Sequence, residues 1–82
     1  MLKSQPLPID RIRVPVKRVK TLDAEKVTEL AEAILEEGMK IPIQVRTDGE
    51  GYILIEGLHR LEALKALGEE EIEGYIVQAR KH

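Results

Sequence analysis

The feature that most constrains the fold is a short apolar run, Tyr52-Ile-Leu-Ile55, which Glu56-Gly57 interrupts and a helical segment follows. Four apolar residues without alternation are typical of a strand buried on both faces. After the glycine, leucines three and four residues apart predict a helix from His59 to Leu67, which Gly68 ends. A buried strand that turns directly into a helix predicts an α/β domain.

The length of the chain, 82 residues, leaves room for one hydrophobic core, so residues 1–82 are expected to form a single domain. Aromatic residues make up only 2%, which predicts an aliphatic core and argues against a stacking platform for single-stranded nucleic acid. The absence of cysteine excludes disulfides and thiolate catalysis. No apolar run approaches the ~20 residues that span a bilayer, and no signal peptide is evident, so a cytoplasmic location is expected.

The predicted element order is β-α-β-β-α-β, a small α/β (α+β) fold with a mixed sheet of about four strands and two main helices. Residues 1–8, with two prolines, are expected to be a loose arm. Ile9 to Val14 alternates weakly like a strand, and 16–22 is expected to be a basic loop. The remaining predicted elements are a helix between Asp23 and Gly38, a strand from Ile41 to Arg46, a hairpin turn at 48–51, and a last strand at 72–77.

The first of these helices has the clearest signals. Asp23 is a favourable N-cap, and Gly38 is suited to the left-handed position that follows a helix. Between them, apolar residues recur at the spacing of one buried stripe. Its members are Val27, Leu30, Ala31, Ile34 and Leu35.

The charge is unevenly distributed although the net charge is only −2. Residues 11–20 carry five cations and no acid, whereas 69–73 carries four glutamates. A protein that binds duplex DNA on its own is usually basic overall, so specific DNA binding is not expected. A local cluster of cations suits a compact anionic ligand better than a long phosphate backbone.

Such a ligand has a candidate site at the turn after Ile55. The first amides of a helix have no intrahelical acceptor and lie at the positive end of the helix dipole. Gly57 lets the backbone approach a phosphate, and His59 and Arg60 lie within the first turn, where an arginine fork matches phosphate oxygens. A strand–glycine–helix junction is common, however, so these residues alone leave open whether the His-Arg pair binds an anion or is simply solvated.

Residues Tyr52 to Gly68 resemble the ParB/sulfiredoxin superfamily, whose hallmark is a strand, then Gly-x-His/Arg-Arg, then a short helix ending in Leu-Gly. The resemblance extends upstream through Asp23-Ala-Glu-Lys-Val27, Leu30 to Ile34 and Pro42-Ile43, and covers about Ile9 to Val77. It implies a nucleotide-binding fold. Sulfiredoxins are the nearest in size; they bind ATP and use a Gly-Cys-His-Arg loop to reduce a sulfinic peroxiredoxin.

The resemblance implies roles for particular residues. Gly57, His59 and Arg60 match the phosphate-binding positions, and Lys26 matches a lysine that lies beside the nucleotide. Leu58 occupies the position of the catalytic cysteine within the binding loop, so sulfiredoxin activity is not expected. Val14 stands where sulfiredoxins commonly carry an arginine that binds phosphate, and the resemblance leaves open whether Arg13, Lys17 or Arg18 compensates.

Other branches of the superfamily lack the cysteine. ParB partition proteins bind CTP but add DNA-binding and dimerisation domains, whereas free-serine kinases transfer phosphate with the help of a carboxylate. Glu56 is the candidate catalytic carboxylate in this chain. We therefore expect a domain that binds ATP or another nucleoside triphosphate, with Mg²⁺ arriving on the nucleotide rather than in a preformed metal site.

Whether the nucleotide is consumed is left open. An ATPase or phosphotransferase would release or transfer phosphate, whereas a CTP- or ATP-sensing or DNA-partition module would change only shape or partner. A purely structural interaction domain, the third alternative, would bind no nucleotide. A homodimer or an unidentified protein partner is compatible with each of these.

Overall fold

The sheet has five strands in the order β1-β5-β3-β4-β2 and contains both parallel and antiparallel pairs. A computed structural model describes residues 3–78. The strands are β1 (Gln5–Pro8), β2 (Ile12–Arg13), β3 (Ile43–Asp48), β4 (Gly51–Glu56) and β5 (Glu71–Ile76), and the helices are α1 (Val16–Val19), α2 (Ala24–Glu37) and α3 (Leu58–Ala66). The α/β class is confirmed, with one strand and one short helix more than the predicted order contains.

The N-terminal segment is a strand where the sequence predicted a loose arm. Leu7 pairs with Ile72 of β5, and its side chain is only 1% exposed. A Cβ atom on Gly74 would lie 2.6 Å from Leu7 Cδ1, so the glycine in β5 makes room for this side chain. Proline has no backbone amide to donate to the ladder. An edge strand tolerates this because the amides on its outer side have no partner strand, so Pro6 and Pro8 do not prevent pairing.

Two further local predictions near the N-terminus were wrong. Ile9–Arg11 forms a 3₁₀ turn, and only the two residues of β2 remain of the strand expected at 9–14. The expected basic loop contains the single helical turn α1, which begins after Pro15. Proline is favourable immediately before or at the start of a helix because its φ angle is already close to the helical value.

The hairpin predicted at 48–51 is confirmed, since Asp48 of β3 pairs with Gly51 of β4. β3 is central in the sheet, with Ile43 and Val45 fully buried, and Pro42 precedes its first residue. Ile41 was expected in this strand but lies outside it and is 65% exposed. In β4 only Leu54 is fully buried, so the apolar run 52–55 is half-covered rather than buried on both faces.

The main helix α2 begins and ends where the sequence predicted. The Asp23 side chain accepts hydrogen bonds from the amides of Glu25 and Lys26, at 3.0 and 3.4 Å, and Gly38 follows the last turn with a φ angle of 79°. The predicted stripe is correct in part, because Ala31 is buried and Ile34 packs against the core. Leu35 is 71% exposed, so it lies outside the covered face.

Replacing Asp23 with alanine is expected to lower the free energy of unfolding by about 0.5–2 kcal/mol. The change leaves the amides of Glu25 and Lys26 without their side-chain acceptor. Urea unfolding measures the effect, and Glu36→Ala, an exposed change on the same helix, is the control expected to stay within about 0.5 kcal/mol. Equal stability of the two variants would contradict the capping role.

α3 joins the sheet to α2. The leucine spacing predicts that Leu61, Leu64 and either Ala63 or Leu67 face inward. Leu61 and Ala63 are fully buried and Leu64 is nearly so. α2 packs chiefly against α3, which places the N-terminal half of α2 beside the turn at Gly57. Across the described part of the chain, residues 3–78, no helix has the length and apolar character needed to cross a membrane.

Candidate functional site

The turn between β4 and α3 depends on Gly57. This residue is the N-cap of α3 with φ 106° and ψ 33°, a left-handed conformation that residues with a Cβ rarely adopt. A Cβ atom at this position would lie 2.6 Å from Ile43 Cγ2 and 3.0 Å from Ile43 Cβ. Gly57 is therefore required by the contact between the turn and β3, whatever the turn binds.

The first turn of α3 presents free backbone donors. The Gly57 carbonyl accepts from the Leu61 amide at 2.9 Å, which begins the helical hydrogen-bond pattern. The amides before Leu61 have no intrahelical acceptor, and no side-chain cap covers them among the described residues. Such amides attract an anion because they carry the positive end of the helix dipole.

His59 connects this turn to the start of α2. Its Nε2 atom accepts a hydrogen bond from the Asp23 amide at 3.1 Å. An imidazole nitrogen that accepts is unprotonated, so in the neutral ring the proton lies on Nδ1. The half-buried side chain therefore keeps one donor for a ligand while it positions the N-terminus of α2.

Arg60 connects the turn to the segment after α2. Its Nη1 atom donates to the carbonyl oxygens of Ile41, at 2.7 Å, and Pro42, at 3.0 Å. Its Nη2 atom lies beside the turn, 3.2 Å from the position that a Cβ atom on Gly57 would take. The Nη1 atom thus fixes the guanidinium to these two carbonyls, and the Nη2 atom lies beside the backbone of the turn.

The two residues that flank Gly57 differ in exposure. The Leu58 side chain is only 6% exposed and belongs to the hydrophobic core, so only its backbone amide is suited to contact a ligand. Glu56, the candidate catalytic carboxylate, is exposed at the end of β4. The structure therefore directs these neighbouring side chains to different environments, one into the core and one into solvent.

A shallow cavity of about 320 Å³, largely open to solvent, lies beside the turn, between α2 and the start of α3. It is lined by Lys26, Glu29, Leu30, Ala33 and His59. Two of the sequence-predicted residues, Lys26 and His59, are thus brought together. Glu29 and Ala33 were not predicted as site residues, although both share a helical face with Lys26 at spacings of three and seven.

A larger depression, about 970 Å³, lies on another part of the surface. Its lining includes Asp10, Glu69, Glu70 and Glu71 but only one cation, Lys65. A polyphosphate is negatively charged, so these carboxylates would repel it at short range. The smaller cavity, whose lining has Lys26 and His59 and one carboxylate, Glu29, is the better candidate for an anionic ligand.

The three other predicted cations are not equivalent. Arg13 pairs with Asp48 at 2.9 Å, so its guanidinium is directed to the hairpin end of β4 and away from Gly57. Lys17 and Arg18 lie on α1, which follows β2, and β2 runs parallel to β4. Parallel strands end at the same edge of a sheet, so α1 begins at the edge where β4 meets Gly57. Neither of these two side chains forms a hydrogen bond or an ion pair with the turn within residues 3–78.

No cluster of three His, Cys, Asp or Glu side chains suited to a metal ion occurs within the described chain. Mg²⁺ takes oxygen ligands and usually retains water and substrate phosphates in its coordination shell. A magnesium ion carried by a nucleotide is compatible with these residues.

Residues 2–82 match the family of ParB N-terminal domains. The chain is 39% identical over 71 residues to the chromosome-partitioning protein ParB of Myxococcus xanthus, covering 85% of this chain and 24% of that protein. It is 39% identical over 62 residues to the chloroplastic/mitochondrial sulfiredoxin of Arabidopsis thaliana, covering 76% of this chain and 50% of the relative. The chain therefore spans half or less of the length of these relatives.

Solved structures show the same fold. The crystal structure of the Arabidopsis thaliana sulfiredoxin superposes with a TM-score of 0.79 at 34% identity, over 96% of this chain and 86% of that one. Caulobacter crescentus ParB complexed with CTP-gamma-S gives 0.82 at 22% identity, over 95% and 46%. A free serine kinase in complex with AMP gives 0.77 at 18% identity, over 94% and 32%. The chain belongs to the ParB N-terminal domain family, within a superfamily that also contains the sulfiredoxins.

Proposed function

We propose that this domain binds a nucleoside triphosphate, with Mg-ATP as the first candidate, across the Gly57 turn and the cavity beside it. The observation that carries the proposal is that Lys26 and His59 line one cavity at the start of α3. A lysine ammonium and free helix amides are both suited to phosphate oxygens. Nucleotides in the ParB and serine-kinase structures, which share this fold, support the same class of ligand.

The cavity is lined by both charged and apolar residues, which suit the phosphates and the base of a nucleotide respectively. Phosphates would lie against Lys26, His59 and the Gly57 turn. Arg60 does not line this cavity, but its Nη2 atom beside Gly57 would supply a further donor to a phosphate at the turn. The base would lie toward Leu30 and Ala33, which offer an apolar surface. Ligand cavities commonly combine such a surface with a few placed polar groups.

Replacing Lys26 with alanine is expected to weaken triphosphate binding about tenfold, because a charge-assisted contact is lost. Isothermal titration calorimetry with ATP, ADP, CTP, GTP and inorganic tripolyphosphate, each with Mg²⁺, measures the affinities. Lys65→Ala is the matched control, since Lys65 pairs with Glu62 and lines the acidic depression instead. Unchanged affinity in Lys26→Ala, or an equal loss in both variants, would contradict the proposed site.

A chemical step at the same site is the second part of the proposal. Glu56 is the carboxylate nearest in sequence to the turn, and it would orient or deprotonate an acceptor hydroxyl or water during phosphate transfer. Release of inorganic phosphate from ATP, lost in Glu56→Gln with binding retained, would support an enzyme. Reduction of a sulfinic peroxiredoxin is not expected, because the chain has no cysteine.

Nucleotide sensing without turnover is the alternative function. It is favoured by two hydrogen bonds of the turn: His59 accepts from the Asp23 amide at the start of α2, and Arg60 donates to the Ile41 carbonyl in the segment between α2 and β3. These bonds link the turn to the chain on both sides of that helix. A sensor would bind nucleotide with no phosphate release. Sequence-dependent DNA binding near physiological salt would direct this alternative toward the partition role for which ParB relatives are named.

A further inference from the structure

Glu29 is an unusual member of the cavity beside the Gly57 turn. The other polar lining residues, Lys26 and His59, can donate to an anion, whereas an ionised carboxylate only accepts hydrogen bonds. Phosphate oxygens are acceptors too, so Glu29 would repel them. The part of a ligand that lies against Glu29 must therefore carry a cation, such as the Mg²⁺ of a nucleotide, or hydrogen-bond donors, as a hydroxyl or an amino group does.

The position of Glu29 along α2 indicates which part of a nucleotide this is. A helix rises about 1.5 Å per residue, so Glu29 lies about 5 Å and Ala33 about 10 Å along the axis from Lys26. In the proposed site Lys26 binds the phosphates, and Ala33, about one helical turn beyond Glu29, belongs to the apolar part of the lining. The sugar of a nucleotide lies between its phosphates and its base, so in this orientation it would lie beside Glu29.

We infer that Glu29 selects ribonucleotides by accepting hydrogen bonds from the vicinal 2′- and 3′-hydroxyls of the ribose. This inference rests on the proposed nucleotide site and adds the class of sugar to it. Two hydroxyls side by side match the two oxygens of one carboxylate, whereas a 2′-deoxyribose leaves one oxygen without a donor. Acidic residues recognise ribose in the same manner in dinucleotide-binding folds.

The test compares ATP with 2′-deoxy-ATP, and CTP with 2′-deoxy-CTP, by calorimetry on the full chain. The unaltered chain should prefer the ribonucleotide about tenfold, the effect of one hydrogen bond to a charged acceptor. Glu29→Ala should abolish the preference, and Glu29→Gln should retain part of it because an amide oxygen still accepts. Tripolyphosphate, which has no sugar, should bind Glu29→Ala at least as tightly as it binds the unaltered chain.

Glu32→Ala is the matched control, since Glu32 is an exposed carboxylate on α2 outside the cavity lining. It should leave the ribose preference unchanged. Equal affinity of the unaltered chain for ribo- and deoxyribonucleotides, or an equal loss of both in Glu29→Ala, would overturn the inference. If the unaltered chain binds tripolyphosphate and nucleotides but does not distinguish ribonucleotides from deoxyribonucleotides, only this inference fails. If it binds neither tripolyphosphate nor nucleotide, the proposed function fails as well.

Discussion

Replacement of Gly57 with valine is expected to lower the free energy of unfolding by about 2–6 kcal/mol. Two effects add. A side chain at φ 106° is strained, at about 1–3 kcal/mol, and the new Cβ would lie 2.6 Å from Ile43 Cγ2. Overpacking of a fully buried position such as Ile43 costs about 1–3 kcal/mol more. Since small domains are stable by only about 5–15 kcal/mol, a large fraction of the stability would be lost.

Gly68→Val is the matched control for this prediction. Gly68 also has a positive φ angle, 77°, but nothing lies within 4 Å of the Cβ position. It therefore reports backbone strain without the steric clash. Thermal and urea unfolding should show a clearly larger loss in Gly57→Val, and equal losses would show that the contact with Ile43 is readily relieved. Loss of nucleotide binding in Gly57→Val alone would not identify a binding residue, because the turn itself would move.

Replacement of Arg60 with alanine is expected to have two effects of similar size. The carbonyls of Ile41 and Pro42 lose their donor, which should lower the free energy of unfolding by about 1–3 kcal/mol. The turn also loses the cationic nitrogen beside Gly57, which should weaken tripolyphosphate and ATP binding by about 10- to 100-fold. A solvated arginine would show neither effect.

Measurements at a temperature where the variant remains folded separate these two roles. Unfolding by urea reports the first, and calorimetry well below the transition reports the second. Arg46→Ala, an exposed arginine on β3, is the control expected to change stability by less than about 0.5 kcal/mol and affinity little. Reduced stability with unchanged affinity would make Arg60 a purely structural residue and remove it from the proposed site.

Elements defined by neighbouring residues could be predicted from the sequence. The cap at Asp23, the glycine after α2 and the turn at Gly49 involve interactions between residues close in the chain. The buried face of α3 followed from the spacing of its leucines, because a helix sets that spacing locally. The family resemblance added the identity of the loop, which local physics alone left open.

Elements defined by distant residues could not be predicted in the same way. Leu7 lies in a proline-rich segment with no strand signal, and it becomes part of a strand because β5 offers an open edge and Gly74 leaves room for its side chain. The exposure of Leu35 has a similar origin. Its position in the apolar stripe is favourable, but α2 packs mainly on α3, and that contact leaves Leu35 71% exposed.

The candidate site combines both kinds of information. A glycine between a strand and a helix implies free amides at the turn, since helix geometry leaves the first donors unpaired wherever the helix lies. The partners of His59 and Arg60 are different, because the amide of Asp23 and the carbonyls of Ile41 and Pro42 come from segments far away in the chain. The cavity with Lys26 and Glu29 likewise forms only when α2 packs on α3, since the distance between two helices depends on the side chains of both.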